Sequence, residues 1–455
     1  MADNNSRSER QNRMGTAPIL PLIIKMSLPS VFSMLILALY NIVDSIYVSR
    51  IGESALSAVS LIFPLQQLSI AVSVGTAVGL ASLISRRLGE QNVEAADKAA
   101  THGVFLAFCS WLVFVVVGIF GVPAFANAFS DNPALISPAV TYGRIVLIGC
   151  FFAMCATSTE RIMQGCGDMI SPMICSLSGC ITNIILDPIM IFGYLGCPAL
   201  GVAGAAYATV IGQVVGMCMA FWMLRHKNFP VQFEFKGFRP DMKTIRDIYA
   251  VGLPSIVMQS INSVTTICLN AILIRFSETA VAVLGVYFKL QSFVFMPVFG
   301  MNQGVMPIMG YNFGARNKER LMETFKKAMF LAFCIMLTGC LLFQLLPSFF
   351  MGLFNAQGEM MRLGTRALRI VSLSFPFVAF SMIPGTLFQA TAHGINSLIV
   401  TLLRQIVVLI PVAFILSRIF GLDGIWYAYP VAEIMSVTAA QIMLRKLIKT
   451  EIETL

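Results

Sequence analysis

Charge is what this 455-residue sequence has least of. Only 12% of its positions are Asp, Glu, Lys or Arg, against about 25% in a soluble globular protein. With 57% hydrophobic residues, a soluble globule would expose far more apolar surface than it could bury, so that class is excluded. Histidine is nearly absent: His102, His226 and His393 are scattered and suggest no metal cluster. The 11 cysteines include no Cys-x-x-Cys pair and lie almost all in apolar stretches, where they act as small hydrophobes. No phosphate loop and no Ser/His/Asp grouping supports an enzyme, and no cofactor is implied. No signal peptide is expected, because the first 17 residues are polar and the apolar run after them is too long. Residues 1–15 read as a disordered cytoplasmic tail.

What is present is a series of apolar runs of about 20 residues, the length a helix needs to cross a bilayer. Strand-like alternation is not sustained, which argues against a membrane barrel. The runs predict twelve spans: 18–48, 54–85, 97–122, 134–160, 169–193, 202–225, 246–275, 281–311, 323–348, 361–390, 395–419 and 424–447. The expected fold is an all-α polytopic membrane protein with two six-helix bundles, 16–225 and 246–455, joined by a cytoplasmic linker at 226–245.

The two halves repeat each other 225 residues apart. Leu28-Pro29-Ser30 returns as Leu253-Pro254-Ser255, Gly75 and Gly79 as Gly300 and Gly304, Gly89 as Gly314, and Arg144-Ile145-Val146 as Arg369-Ile370-Val371. Near the ends, Gly201-x-x-Gly204-x-x-Tyr207-Ala208 returns as Gly421-x-x-Gly424-x-x-Tyr427-Ala428. Two homologous membrane halves suit a carrier that opens alternately to the two sides. Glycines at four-residue spacing, including Gly212/Gly216, signal close helix packing. Gly89 and Gly314 also suit helix C-terminal caps.

Basic residues fall on one side. Arg7, Arg10, Arg13, Lys25, Arg86, Arg87, Lys98, the 226–245 linker, Arg316, Lys318, Arg320, Arg445, Lys446 and Lys449 share it. Arg50, Arg275, Arg362, Arg366 and Arg418 are the few on the other. Both termini are therefore expected to be cytoplasmic. Topology and lipid contact account for the net charge of +9 without nucleic-acid binding.

Against this background the intramembrane acids stand out, because a carboxylate inside a span is costly and usually functional. The run Tyr40-Asn41-Ile42-Val43-Asp44 places Asp44 near the outer end of span 1. Asn183-Ile184-Ile185-Leu186-Asp187-Pro188 places Asp187 at similar depth in span 5. Tyr40/Asp44 and Asn183/Asp187 are each i, i+4 pairs sharing a face. Thr209 in span 6 lies at a comparable level. Such a set suits Na⁺ at Asp44 and Asp187, or equally a proton shared between two carboxylates.

The second half lacks it: Leu269 stands where Asp44 would repeat. Arg404 in span 11 and Glu433 in span 12 could instead form a structural ion pair, or serve substrate or coupling. Arg144, Arg369 and Lys289 read as pairing or snorkelling residues. Pro29 interrupts span 1 and makes it a candidate hinge. Gln67, Gln259, Asn262 and Asn302 are polar positions expected to line a cavity. So is Met296, in a methionine- and phenylalanine-rich stretch whose soft walls can hold flat cations.

The twelve-span repeat, Asp44-x-x-Tyr-Val-Ser-Arg-Ile-Gly52, Asn183-x-x-x-Asp187-Pro188 and Gly201-x-x-Gly204-Ala-Ala-x-Ala208-Thr209 together resemble the multidrug and toxic compound extrusion (MATE) family, over about 18–447. It is similar above all to bacterial members with an N-lobe cation site. The resemblance implies a V-shaped pair of bundles in a bacterial inner membrane. It implies alternating access, and antiport of organic cationic, amphipathic compounds, antibiotics included, against H⁺ or Na⁺. It assigns Asp44, Asn183, Asp187 and Thr209 to the cation site, beside Tyr40 and Asn41 from the first-span run, adds Tyr142, and makes Pro29 the bending proline. Acids that some branches carry in spans 7 and 10 are absent. A monomer is expected. The alternative within the superfamily is a flippase for lipid-linked saccharides, which calls for a basic central cavity.

Overall fold

Residues 13–455 are described by a computed structural model. The expected tail up to residue 12, with Arg7 and Arg10, lies outside the described residues. Residues 13–16 are not tail: they form a helical turn, and Met14 is buried in the core.

All the described regular structure is helical. Spans 1 to 9 are Ile19–Ser49, Glu53–Gly89, Val93–Val116 (continuing through a wide π turn into Val122–Phe129), Pro133–Gly165, Ile170–Phe192, Val202–His226, Met242–Leu273, Glu278–Gly314 and Lys318–Leu345. Span 10 is not the single helix expected. It is Gly358–Ser372 and Phe375–Ala390, bent by 49°. The cause is local: Pro376 has no amide to bond back to the Ser372 carbonyl, and at the same break the Val371 carbonyl accepts both the Ser374 amide at 3.0 Å and its hydroxyl at 2.7 Å. Span 11 runs from Gly394 to Phe420 through a π turn at Leu403–Leu409, and span 12 is Leu422–Leu447. Among the described residues ten helices are long and apolar enough to cross a membrane, and the bent pair makes eleven. Span 12 is less apolar, with Asp423 and Glu433 in its sequence, but its 26 residues are long enough at about 1.5 Å each.

The internal repeat is visible in the backbone. Gly201 and Gly421 open spans 6 and 12 with the same left-handed φ (57° and 63°), which side chains resist. Gln91 and Arg316 share a positive φ after spans 2 and 8, and Asn92 and Asn317 cap the next helix through their side chains. Gly89 and Gly314 therefore do not provide the left-handed cap expected of them. They are glycines because another backbone passes against them: a methyl group on Gly89 would strike Tyr311, and one on Gly314 would strike Arg86.

The lobes meet through the same device in duplicate. Span 2 lies on span 7, where a Cβ on Gly75 would stand 2.6 Å from the Ile256 amide nitrogen, and one on Gly79 2.8 Å from that of Gly252. Span 8 lies on span 1, where a Cβ on Gly300 would stand 2.7 Å from the Val31 nitrogen, and one on Gly304 2.9 Å from that of Ser27. Polar contacts reinforce this end: Arg87 to Asp247 at 3.1 Å, Ser82 Oγ donating to the Gln389 carbonyl at 2.6 Å, and Arg320 donating to the carbonyls of Ala17 (2.7 Å) and Met14 (3.3 Å).

The turn before span 7 is held by Asp241. It caps the helix, accepts the Thr244 hydroxyl at 2.7 Å and pairs with Lys98 at 2.9 Å. Its own backbone amide donates to His102 Nε2 at 2.8 Å.

Two tests follow from this packing. Gly79→Val puts a branched side chain into the span 7 backbone at a cost of roughly 1–3 kcal/mol. Transport should fall by about tenfold or more in protein that still reaches the membrane, and wild-type transport would show that the lobes do not close there. The Thr244 hydroxyl and the Lys98 ammonium hold the Asp241 carboxyl well below the usual carboxylate range. A carboxyl so depressed adds stability above its unfolded pKa and loses it as pH falls through its folded one. Asp241→Asn should thus melt below wild type at neutral pH, and the two melting temperatures should converge in strong acid.

Candidate functional site

The acid site lies where spans 1, 5 and 6 converge in the first lobe. Spans 5 and 6 approach so closely that a Cβ on Gly212 would be 2.8 Å from the Gly179 carbonyl and 3.1 Å from Asn183 Cβ. That crossing sets Asn183 beside Thr209. Asp187 is fully buried and Asn183 is 2% exposed, so neither faces lipid. Two orientations of the Asn183 amide are conceivable. One donates to Thr209 Oγ1 at 3.3 Å but turns the amide carbonyl toward a carboxylate. The other donates to Asp187 Oδ2 at 2.8 Å and accepts from the Thr209 backbone nitrogen at 3.0 Å. The second is preferred, because it removes a repulsion between two acceptors.

Asp44 and Asp187 lie within hydrogen-bonding reach of each other. One oxygen of each, Oδ1, is buried without a hydrogen-bond partner. The Tyr40 hydroxyl reaches Thr209, and Tyr142, itself buried, reaches Gln66 of span 2. Asn41 is exposed on span 1. Pro29 lies inside the continuous helix of span 1, one turn before Ser33, whose hydroxyl donates to the Pro29 carbonyl at 3.0 Å.

Below the acids a cavity of about 510 Å³ opens inside the first lobe, lined by Tyr40, Asn183 and Thr209 at one end and by Glu160, Arg161 and Gln164 among others. Glu160 accepts the Ser176 hydroxyl at 3.0 Å, and Arg161 donates to Gln164 at 3.0 Å. Sequence reasoning missed this charged pair because span 4 was taken to end at 160. The helix continues to Gly165, and the apolar Ile162-Met163 after the pair was the signal.

A central cavity of about 470 Å³ lies between the lobes, lined by Gln259, Asn262 and Asn302 together with Arg161, Gln303 and Arg404. Two expected lining residues are not there. Gln67 is exposed on span 2, one turn from the exposed Phe63. Met296 lies one residue off the stripe in which Phe295 and Phe299 face a cavity. A third cavity of about 300 Å³ occupies the second lobe, with Tyr287, Tyr429, Arg404 and Glu433 in its wall. Arg404 Nη1 is 3.9 Å from Glu433 Oε2, and Ser381 donates to Glu433 Oε1. Lys289 sits 5.9 Å over the Phe354 ring instead of pairing with an acid.

No group of three or more His, Cys, Asp or Glu side chains that could hold a metal is present among the described residues. The site can bind a cation or a proton between two carboxyls, beside cavities of the size that take drug-like molecules.

The comparisons with known proteins agree with this architecture. A multidrug export protein, MepA, from Staphylococcus aureus (strain bovine RF122 / ET3-1) is 26% identical over 94% of each chain. A structure described as the outward-facing conformation of a multidrug resistance MATE family transporter of the MOP superfamily aligns at TM-score 0.87 and 29% identity, covering 96% of this chain and 97% of the other. A MOP superfamily transporter from Pyrococcus furiosus, described as having a binding pocket of reverse polarity, aligns at 0.89 and 27%, again over 96% and 97%. The MatE family model matches twice, over residues 29–189 and 254–415, one match to each lobe. The chain is a multi-pass membrane transporter, not an enzyme, and it belongs to the MatE family.

Proposed function

We propose that this protein exports amphipathic organic compounds by antiport against a cation that binds at Asp44 and Asp187. The observation that carries the reading is the contact between two intramembrane carboxyls, each with one buried oxygen lacking a partner. Two carboxylates cannot share a hydrogen bond unless one is protonated, and a second negative charge so close would be repelled. This favours H⁺ as the coupling ion. Na⁺ is the alternative, and its oxygens would come from the same Asp44 and Asp187 with Asn183 and Thr209. The first-lobe cavity carries Glu160 beside Arg161 and ends at the Tyr40 and Asn183 side chains next to the acid pair, which supports organic cations as cargo, and the relatives named for multidrug export support small-molecule cargo.

With both termini in the cytoplasm, the closed glycine crossings lie on the inner side and the form described is outward-facing. In the cycle we envisage, a proton entering from outside neutralises the acids, span 1 bends at Pro29 and cargo is released outward. The lobes then part at the inner crossings, the proton leaves, and new cargo enters. Tyr142 and Thr209 orient the acids, while Asn41 has no evident part. A single chain contains both lobes, so a monomer suffices. A flippase for lipid-linked saccharides is the second reading. The arginines in the central cavity favour it, but the size of that cavity fits a drug-sized molecule better.

The test is transport of a fluorescent organic cation in proteoliposomes with pH and Na⁺ gradients imposed separately. Wild type should move dye under the pH gradient, and Asp187→Asn should fall to background with the protein equally well incorporated. Full activity in Asp187→Asn would remove the coupling site. Activity driven by Na⁺ alone would exchange the ion and leave the site standing. Pro29→Ala should slow turnover several-fold with the ion preference unchanged, and normal turnover would sink the bending step.

A further inference from the structure

A further cavity lies where span 6 ends and the linker to the second lobe begins. This crevice of about 530 Å³ is walled by Phe221, Leu224 and Arg225 of span 6 and by Phe229, Phe233 and Phe235 of the linker, among others. Phe229 and Leu224 are buried in the core, while Phe235 is 58% exposed. Three of the rings form a row, Phe221 to Phe233 and Phe233 to Phe235, each step 5.6 Å between centroids. Trp222, beside this wall in sequence, is exposed and stacks on His226 at 4.9 Å.

The linker side of the crevice is pinned by its own backbone. The Gln232 amide donates to Asp97 Oδ1 at 2.6 Å, and the Glu234 amide donates to Thr101 Oγ1 at 3.0 Å. Both acceptors stand on the first turns of span 3. The aromatic wall is therefore held open as a slot and does not collapse onto the helix ends.

Charge at the slot has one sign. Among the described residues no Asp or Glu lines it. Arg225 is exposed and has no ion pair or hydrogen bond to its guanidinium there. Its neighbour Lys227 is already occupied, by Ser171 at 2.8 Å and Asp168 at 4.0 Å. Lys236 and Arg239, farther along the linker, are exposed too. A free guanidinium offers five donors in a fork that suits a phosphate. Exposed aromatics beside arginine and lysine, at the level where a helix leaves the apolar core, are what a protein presents to lipid headgroups. Clusters of basic residues at that level attract anionic lipids. A small soluble anion would use Arg225 and leave the aromatic wall in water. A zwitterionic lipid would bring its own cation to a basic rim.

We propose that this crevice binds an anionic phospholipid, with its phosphate at Arg225 and one acyl chain along the Phe221, Phe233 and Phe235 rings. The occupant would bridge span 6 and the segment that leads into span 7, so the lipid would brace the covalent connection between the lobes.

The experiment uses phosphatidylglycerol with a diazirine in one acyl chain, in phosphatidylcholine proteoliposomes carrying the full-length protein. Crosslinked peptides are mapped by mass spectrometry after illumination. Labelling should concentrate on residues 221–235, and unlabelled phosphatidylglycerol should displace it about fivefold or more better than added phosphatidylcholine. Arg225→Gln changes an exposed side chain and should erase that preference with the melting temperature unchanged. Arg362→Gln, an exposed arginine far away in the second lobe, should leave it intact. Labelling no denser at 221–235 than on other lipid-facing helices would overturn the proposal, as would equal displacement by the two lipids. So would a preference that survives Arg225→Gln. Displacement by soluble glycerol phosphate at equal concentration would mark a site for free phosphate and overturn the lipid assignment. Because the readout is binding, its outcome is independent of the coupling ion and of the exported compound.

Discussion

Across the lobe boundary, backbone packs directly on backbone. Lipid offers no hydrophobic drive to hold helices together, so packing and hydrogen bonds must do so. Here glycines at repeat-related positions let span 2 settle on span 7 and span 8 on span 1. The interface is nearly symmetric, with Gly75 and Gly79 on one pair of helices and Gly300 and Gly304 on the other. Everything else follows from that seam: the central cavity lies beside it, the polar staples sit along it, and the acid site is kept within one lobe, away from the moving surface. A site inside a single lobe can hold its ion while the lobes exchange partners.

Within the first lobe the same rule operates at smaller scale. The Gly179/Gly212 crossing brings Asn183 to Thr209 and fixes the depth of Asp187. The second lobe has no acid pair. Its cavity is built instead from two tyrosines, an arginine and a glutamate, with Arg404 carried on the wide turn Leu403–Leu409. π turns of this kind recur at functional positions, where they re-aim a side chain. The two halves share a frame and have divided the charge between them.

Much of this was legible in the sequence. The repeat in Leu-Pro-Ser and the paired glycines announced two lobes, and the rarity of intramembrane acids pointed to Asp44 and Asp187. What was not legible depended on helix rotation and helix ends. Gln67 and Gln66 are adjacent, yet only Gln66 reaches Tyr142, because one residue turns a helix by about 100°. Glu160 and Arg161 looked like the end of a span because charge usually marks the interface. The bases looked scattered along the chain, and only the fold brings Arg161 and Arg404 to one cavity. Gly89 and Gly314 illustrate a third difficulty, since a glycine near a helix end reads as a cap whether or not another backbone passes there.

Residues 13–17 form a strap against the lobe boundary. Met14 is packed in the core and Arg320 grips the carbonyls of Met14 and Ala17, so the start of the described chain is wedged into the seam on the side of the second lobe. Met14 also packs beside Gly167 of the first lobe, so the strap touches both lobes. Any bulky domain fused immediately ahead of it would press on the joint that opens and closes, so a purification tag placed there is itself a conformational perturbant.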